Sequence, residues 1–295
     1  MVATTGFFDG VHLGHRAVLQ RVTDTARAQG CESAVITFWP HPRVILHQDA
    51  GKVRLLNTLD EKKGRLKDAG IDHVFVLPFT PAFSQLSPEH FMQEYLCRRF
   101  GVTTLIVGYD HHLGVHAGAD YEQLRAIGVT MNIAVERVDE QKDAIQRLTV
   151  SATKIREALA SGDVEKANRL LDYSYQLQGV VVEGQRLGRQ LGFPTANMQL
   201  YEPLKQLPAN GVYRTRVRLH HTVYCGMTNI GVRPTVQTGD MARTIETHIL
   251  RFSDDIYGQD LTIEFRSRLR DERRFASLDD LKTQLQRDRE LMNND

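Results

Sequence analysis

A chain of 295 residues, 41% hydrophobic and 25% charged, is long enough to bury a sizeable core, and two domains are expected rather than one. A formal net charge of +1 supplies no overall field for nucleic acid, so no nucleic-acid partner is expected. Cys31, Cys97 and Cys225 form no CxxC pair and no disulfide framework, no apolar run reaches the length of a membrane span, and no basic-then-apolar leader opens the chain; together these predict a cytoplasmic protein without a membrane partner.

The first distinctive stretch is Gly6-Phe7-Phe8-Asp9-Gly10-Val11-His12-Leu13-Gly14-His15. The strand ahead of it must be very short, unless residues precede Met1. Glycines let backbone N–H groups approach a polyphosphate closely. A helix expected from near Arg16 would add unpaired N–H donors and a partial positive charge. His12 and His15, at i and i+3, project to one side and can each donate to phosphate oxygens. The stretch reads as a nucleotide-phosphate site; a strand and glycine turn with two incidental histidines is the plainer reading.

Further along, Ala34–Phe38, His73–Leu77 and Thr104–Gly108 are β-branched and apolar runs, expected as strands. Between them Asp60 is placed to cap a short helix ended by Gly70, and Ser87-Pro88 to start one closed by Gly101. Alternating strands and helices predict an α/β domain with a doubly wound parallel sheet, whose ligands bind at the carboxyl ends of the strands. Two loops should reach that edge. In Phe38-Trp39-Pro40-His41-Pro42, Trp39 and His41 either touch a base or flavin or simply pack a rigid loop. In Gly108-Tyr109-Asp110-His111-His112-Leu113-Gly114, Asp110 is a candidate ligand contact, while His111 and His112 are a poor chelating pair and read as loop packing. A third segment, Val150–Arg156, offers Ser151 as an N-cap, with Thr153 and Arg156 one turn apart at a helix start, a set suited to phosphates or to an ordinary capped helix.

After two helical patterns, Lys154–Ala160 and Val164–Leu171, the chain changes character near Asp172–Gln178. Leu177–Glu183, Val212–Leu219, Thr222–Met227, Thr244–Phe252 and Leu261–Phe265 are strand-like, which predicts a small antiparallel β-barrel. Ser277-Leu278-Asp279-Asp280 opens a terminal helix. Arg214, Arg216 and Arg218 alternate along one strand and read as its solvated face. In Gly188-Arg189-Gln190-Leu191-Gly192-Phe193-Pro194-Thr195-Ala196-Asn197, the Thr195 hydroxyl and Asn197 amide are hard oxygen donors suited to Mg²⁺, or else the stretch is a Gly/Pro turn into a strand. Glu246 and His248 share a strand face.

The His-x-Gly-His turn resembles the HxGH nucleotidyltransferases, and its ten-residue form resembles the adenylyltransferase half of prokaryotic bifunctional riboflavin kinase/FAD synthetases. Ser151-Ala152-Thr153-Lys154-Ile155-Arg156 is similar to that family's Ser-Ser-Thr-x-Ile-Arg, and Gly188–Asn197 to its kinase signature. So are Gly179–Gly184, Gly211–Tyr213, Gly226–Thr235, Ile245–His248, Tyr257-Gly258 and Leu269–Phe275, so the resemblance runs through nearly the whole chain. Phe7, Ala152, His111 and Leu113 depart from the family pattern.

The resemblance implies an adenylyltransferase domain over 1–172 and a riboflavin kinase domain over 173–295. ATP, riboflavin and FMN are then the small-molecule substrates, FMN and FAD the products, and Mg²⁺ the metal. It implies that His12, His15 and Arg156 carry adenylyl transfer and that Gly6, Phe8, Asp9, Gly10, Gly14, Ser151 and Thr153 form its ATP site. Gly188, Gly192, Pro194, Thr195 and Asn197 would hold ATP in the kinase, with Thr195 and Asn197 at the metal and Glu246 as the base. Trp39, His41, Asp110, Arg270 and Phe275 would contact flavin. A kinase with an idle adenylyltransferase half and a non-catalytic flavin-binding regulator are the alternatives.

Overall fold

The computed structural model describes residues 1–46, 53–109, 119–139, 150–184, 187–234 and 241–292. It contains two compact units, Met1–Ala152 and Thr153–Asp295.

In the first unit, β1 (Val2–Thr5), β2 (Ser33–Trp39), β3 (His73–Pro78), β4 (Thr104–Val107) and β5 (Ala134–Arg137) form one parallel sheet in the order β3-β2-β1-β4-β5. Both faces are covered. Ala3, Ala34, Ile36 and Leu105 point into one apolar cluster, while Val2, Val35 and Ile106 point into the other. That two-sided burial explains why the central strands are continuous apolar runs rather than alternating ones. The helices are α1 (Leu13–Gln29), α2 (Pro42–Ile45), α3 (Leu59–Asp68), α4 (Pro88–Phe91, continued by a π-helical segment over Met92–Arg99) and α5 (Tyr121–Thr130).

Several local expectations shift. Helix α1 begins at Leu13, three residues ahead of Arg16, because the His12 side chain serves as its N-cap. Helix α3 is capped by Thr58, not Asp60: the Thr58 hydroxyl accepts from the Glu61 N–H at 3.1 Å and the Glu61 carboxylate accepts from the Thr58 N–H at 2.8 Å. This reciprocal pair satisfies two of the donors a helix start leaves open. Strand β5 was not foreseen, since Glu136-Arg137 carries the charge of an edge position.

The second unit begins with α6 (Ala152–Ser161, its first residue closing the first unit) and α7 (Val164–Leu171). A closed barrel follows, built from β6 (Gln176–Val182), β7 (Ala196–Leu200), β8 (Gly211–Leu219), β9 (Thr222–Pro234), β10 (Met241–Ile249) and β11 (Asp260–Arg270), in the order β10-β7-β6-β11-β8-β9. Its described pairings are antiparallel. A short α8 (Leu187–Gln190) precedes β7, and α9 (Leu278–Met292) ends the chain. Strand β7 follows the Gly188–Pro194 turn, where the plainer reading of that stretch expects a strand.

The barrel interior holds Tyr213, Val217, Ile263 and Phe265, all fully buried. It also holds three threonine hydroxyls in a chain: Thr215 to Thr228 and Thr228 to Thr247, each at 2.9 Å, with Thr215 donating to the Gly226 carbonyl. Polar groups so deep are tolerated because each finds a partner. The arginine stripe faces outward, with Arg216 and Arg218 exposed and Arg218 paired to Glu264 at 3.0 Å.

Candidate active sites

The Gly6–His15 turn leaves the carboxyl end of β1, which is flanked by β2 on one side and β4 on the other. There the strand order reverses, and a crevice opens at such a switch point. The turn is held from below. Phe8 and Val11 are 5% and 1% exposed and both adopt positive φ, at 48° and 38°. A β-branched residue rarely occupies that region, so packing imposes it. The Asp9 carboxylate accepts from the Leu56 N–H at 3.0 Å and the Asn57 N–H at 3.1 Å, tying the turn to the segment before α3. Phe8 and Asp9 thus act as scaffold for the loop.

The two histidines form one unit. Their rings stack with centroids 3.7 Å apart and planes 14° from parallel. His12 Nδ1 accepts from the His15 backbone N–H at 3.3 Å. An imidazole accepting at Nδ1 is neutral and carries its proton on Nε2. The Gly14 position is tight: a Cβ there would lie 3.2 Å from the His12 ring, which would have to give by a few tenths of an ångström. The Phe8 ring meets His15 edge-on at 5.0 Å. His15 Nδ1 is buried without a hydrogen-bond partner among the described residues. Burial, then the neighbouring His12 and Lys62, hold the His15 pKa well below its ordinary value. His15 is therefore a neutral donor at physiological pH.

Trp39 and His41 reach this half by different routes. His41 lies 5.6 Å from the Phe7 ring, within an aromatic group that includes Phe38 and Phe79. Trp39 lies under the Lys62 ammonium, 5.5 Å from the ring centre. Lys62 is a residue that sequence reasoning missed. In Asp60-Glu61-Lys62-Lys63 it looks like solvated helix surface, yet it is only 3% exposed. Asp110, with His111 and Leu113, lies outside the described residues. Ser151 directly precedes α6, and Thr153 and Arg156 sit in its first turns, as the spacing predicts.

In the second unit a cavity of about 260 Å³ is lined by Gly188, Thr195, Asn197, Glu246, Arg270 and Phe275. Strand alternation explains the set. Ile245, Thr247 and Ile249 are buried, so Glu246 and His248 face the other way, into the cavity. Glu246 stands opposite Asn197 on β7 and Asn229 on β9, and both line the same cavity. The turn before β7 is tightly closed. A Cβ at Gly188 would collide with the Phe193 carbonyl oxygen, so only glycine fits. Gly192 takes φ +80°, and the Pro194 carbonyl receives His248 Nδ1 at 2.8 Å. Burial holds His248 below its ordinary pKa, and because a carbonyl oxygen only accepts, the ring carries a proton on Nδ1.

Arg270 lines the cavity, but its guanidinium is already engaged. It grips Asp288 of α9 through Nε at 2.9 Å and a second nitrogen at 2.8 Å, with Asp288 fully buried. Its ring neighbour is Phe275, 5.8 Å away. Arg270 therefore fastens α9 over the cavity, and Leu281 and Leu285 of that helix complete the wall. Glu272 and Asn229 also line it; their sequence stretches had been singled out, but neither had been given a role. Glu272 accepts from Asn210 Nδ2 at 3.1 Å. Among the described residues there is no cluster of three or more His, Cys, Asp or Glu fit for a metal. Oxygen donors from Thr195 and Asn197 instead suit a cation that takes most of its ligands from phosphates and water.

The FAD synthetase family model matches residues 1–154, and the riboflavin kinase family model matches residues 171–294. The bifunctional riboflavin kinase/FMN adenylyltransferase of Pseudomonas fluorescens is 40% identical over 287 residues, covering 97% of this chain and 90% of that protein. That of Bacillus subtilis is 34% identical, covering 98% and 90%. A Streptococcus pneumoniae crystal structure described as a macrolide-efflux protein superposes with a TM-score of 0.90 at 29% identity, over 99% of this chain and 93% of that one. With both domain models in sequence and relatives alike over nearly their full length, the chain belongs to the bifunctional riboflavin kinase/FMN adenylyltransferase family.

Proposed function

We propose that the protein converts riboflavin and ATP to FMN and ADP in its C-terminal domain, then FMN and a second ATP to FAD and pyrophosphate in its N-terminal domain. In this reading the adenylyltransferase spans 1–172 and the kinase 173–295. The observation that carries the reading is the coexistence of two sets of groups, the stacked His12–His15 pair and the Glu246–Asn197 cavity, each within the span of its own family model.

In the kinase, Glu246 accepts the proton of the riboflavin 5′-hydroxyl as that oxygen attacks the γ-phosphorus of ATP. Phosphoryl transfer otherwise needs positioning and charge neutralisation. Thr195 and Asn197 would hold Mg²⁺, which when bound neutralises phosphate charge. Gly188, Gly192 and Pro194 shape the turn against the nucleotide, while Arg270 and Phe275 shape the flavin end. In the adenylyltransferase, a phosphate oxygen of FMN attacks the α-phosphorus of ATP and pyrophosphate departs with the bonding electron pair. No proton need be removed first, because that oxygen is already anionic. His12 and His15 donate to the α-phosphate oxygens from their neutral rings. Ser151, Thr153 and Arg156 would hold the departing pyrophosphate, and Trp39, His41 and Asp110 the flavin. A cytoplasmic location fits the three free cysteines.

Chromatography of flavins after incubation with riboflavin, ATP and Mg²⁺ tests this. FMN appearing first and FAD second is the expected result. FMN alone would confine the activity to the C-terminal domain, and unchanged riboflavin would refute the kinase assignment.

A further inference from the structure

Lys62 of α3 is a charge in the wrong place for a surface helix. Its side chain is 3% exposed and lies against Trp39, beside Asp9 of the β1–α1 turn and His15 of α1. Burying an ammonium is costly unless negative charge compensates it. Among the described residues Asp9 faces it with a negative charge, and that carboxylate also accepts backbone N–H groups from Leu56 and Asn57. The compensation falls short. Burial outweighs Asp9 and brings the Lys62 pKa from 10.5 down to about 8. A buried cation left under-compensated implies that an anion completes its surroundings. The stacked histidines do not supply the positive charge such an anion needs, since His15 is held neutral.

We propose that Lys62 is a phosphate-binding cation of the adenylyltransferase site, placed beside His15 to neutralise charge on the ATP phosphates as pyrophosphate departs. This rests on the reading of the Gly6–His15 turn as that site. A fixed ammonium in a dry crevice is worth more than one in water, because the surrounding dielectric is low. The capping box at Thr58 and Glu61 fixes the helix turn from which Lys62 projects.

The test supplies FMN and ATP and follows FAD formation, with FMN formation from riboflavin by the same samples as the control for intact protein. Lys62→Met should lower kcat/KM for ATP by about 100-fold, the usual scale for losing one transition-state donor, and leave FMN formation unchanged. The wild-type profile should fall on the alkaline side near pH 8, and Lys62→Arg, which stays charged, should move that limb upward. The other groups facing the site are Asp9, His12 and His15, with Glu61 on the same helix; His15 titrates well below this range. Lys62→Met within threefold of wild type, or an alkaline limb unmoved in Lys62→Arg, would overturn the proposal. If Lys62→Arg is inactive, ATP affinity decides: an unchanged dissociation constant in Lys62→Met would equally overturn it. His15→Ala separates the two levels. Normal FAD formation in that variant sinks the site reading itself, whereas loss in His15→Ala with retention in Lys62→Met sinks only the role of Lys62.

Discussion

Replacing Glu246 with Gln is the sharpest probe of the kinase cavity. The change keeps shape and one acceptor oxygen but removes the base. Glu246 is half-buried, and its ladder partners Asn197 and Asn229 are paired through the backbone, so the barrel should lose no more than about 0.5 kcal/mol, as for other substitutions outside the core. A positioned general base contributes about 10²–10⁴ in rate, so the barrier should rise by about 2.7–5.4 kcal/mol. Glu272, which also lines the cavity, is held by Asn210, which argues for the upper part of that range. The assay follows FMN formation at saturating riboflavin and ATP, with FAD formation from supplied FMN as the internal control. A variant keeping more than a tenth of its FMN-forming rate would refute Glu246 as the base. Equal loss of both activities in folded protein would refute the separation of the sites.

Three other outcomes follow from the geometry. His15→Ala should abolish FAD formation from FMN and spare FMN formation, read by the same chromatography, because its ring is half of the stacked pair. His15 should also make stability sensitive to acid. Its folded pKa lies well below 6.5, so the unfolded chain binds the proton first and stability declines as pH falls below about 6.5. A urea series from pH 7.5 to 5.5 should show a shallower decline in His15→Ala than in wild type. Thr228→Val removes the central hydroxyl of the buried chain and strands Thr247, which bonds only Thr228 among the described residues. It should cost about 1–3 kcal/mol in urea unfolding, and adding Thr247→Val should recover most of that; a neutral single substitution would contradict the account.

Much of the architecture was legible because it is local. Apolar runs, Ser87-Pro88 and the turn glycines mark the alternating half, and short β-rich runs mark the barrel. The long motifs gave away both candidate sites, since close backbone approach to phosphate demands glycine at fixed spacing. Where local signals compete, reading failed. Thr58 outranks Asp60 as a cap because only Thr58 has Glu61 three residues on to return the bond. Strand β7, Ala196–Leu200, carries no β-branched or aromatic residue, and it forms because β6 and β10 flank it.

The amino-acid sequence by itself determined which chemistry-bearing residues exist, the order of the two domains and the parity that turns Glu246 and His248 to one side of β10. Tertiary structure alone decided their surroundings. Burial is a sum over neighbours distant in sequence, and no spacing rule contains it. It makes Lys62 a nearly buried cation beside Asp9, keeps His15 neutral, engages Arg270 with Asp288 eighteen residues later, and turns Phe8 and Asp9 into the scaffold of the loop they belong to.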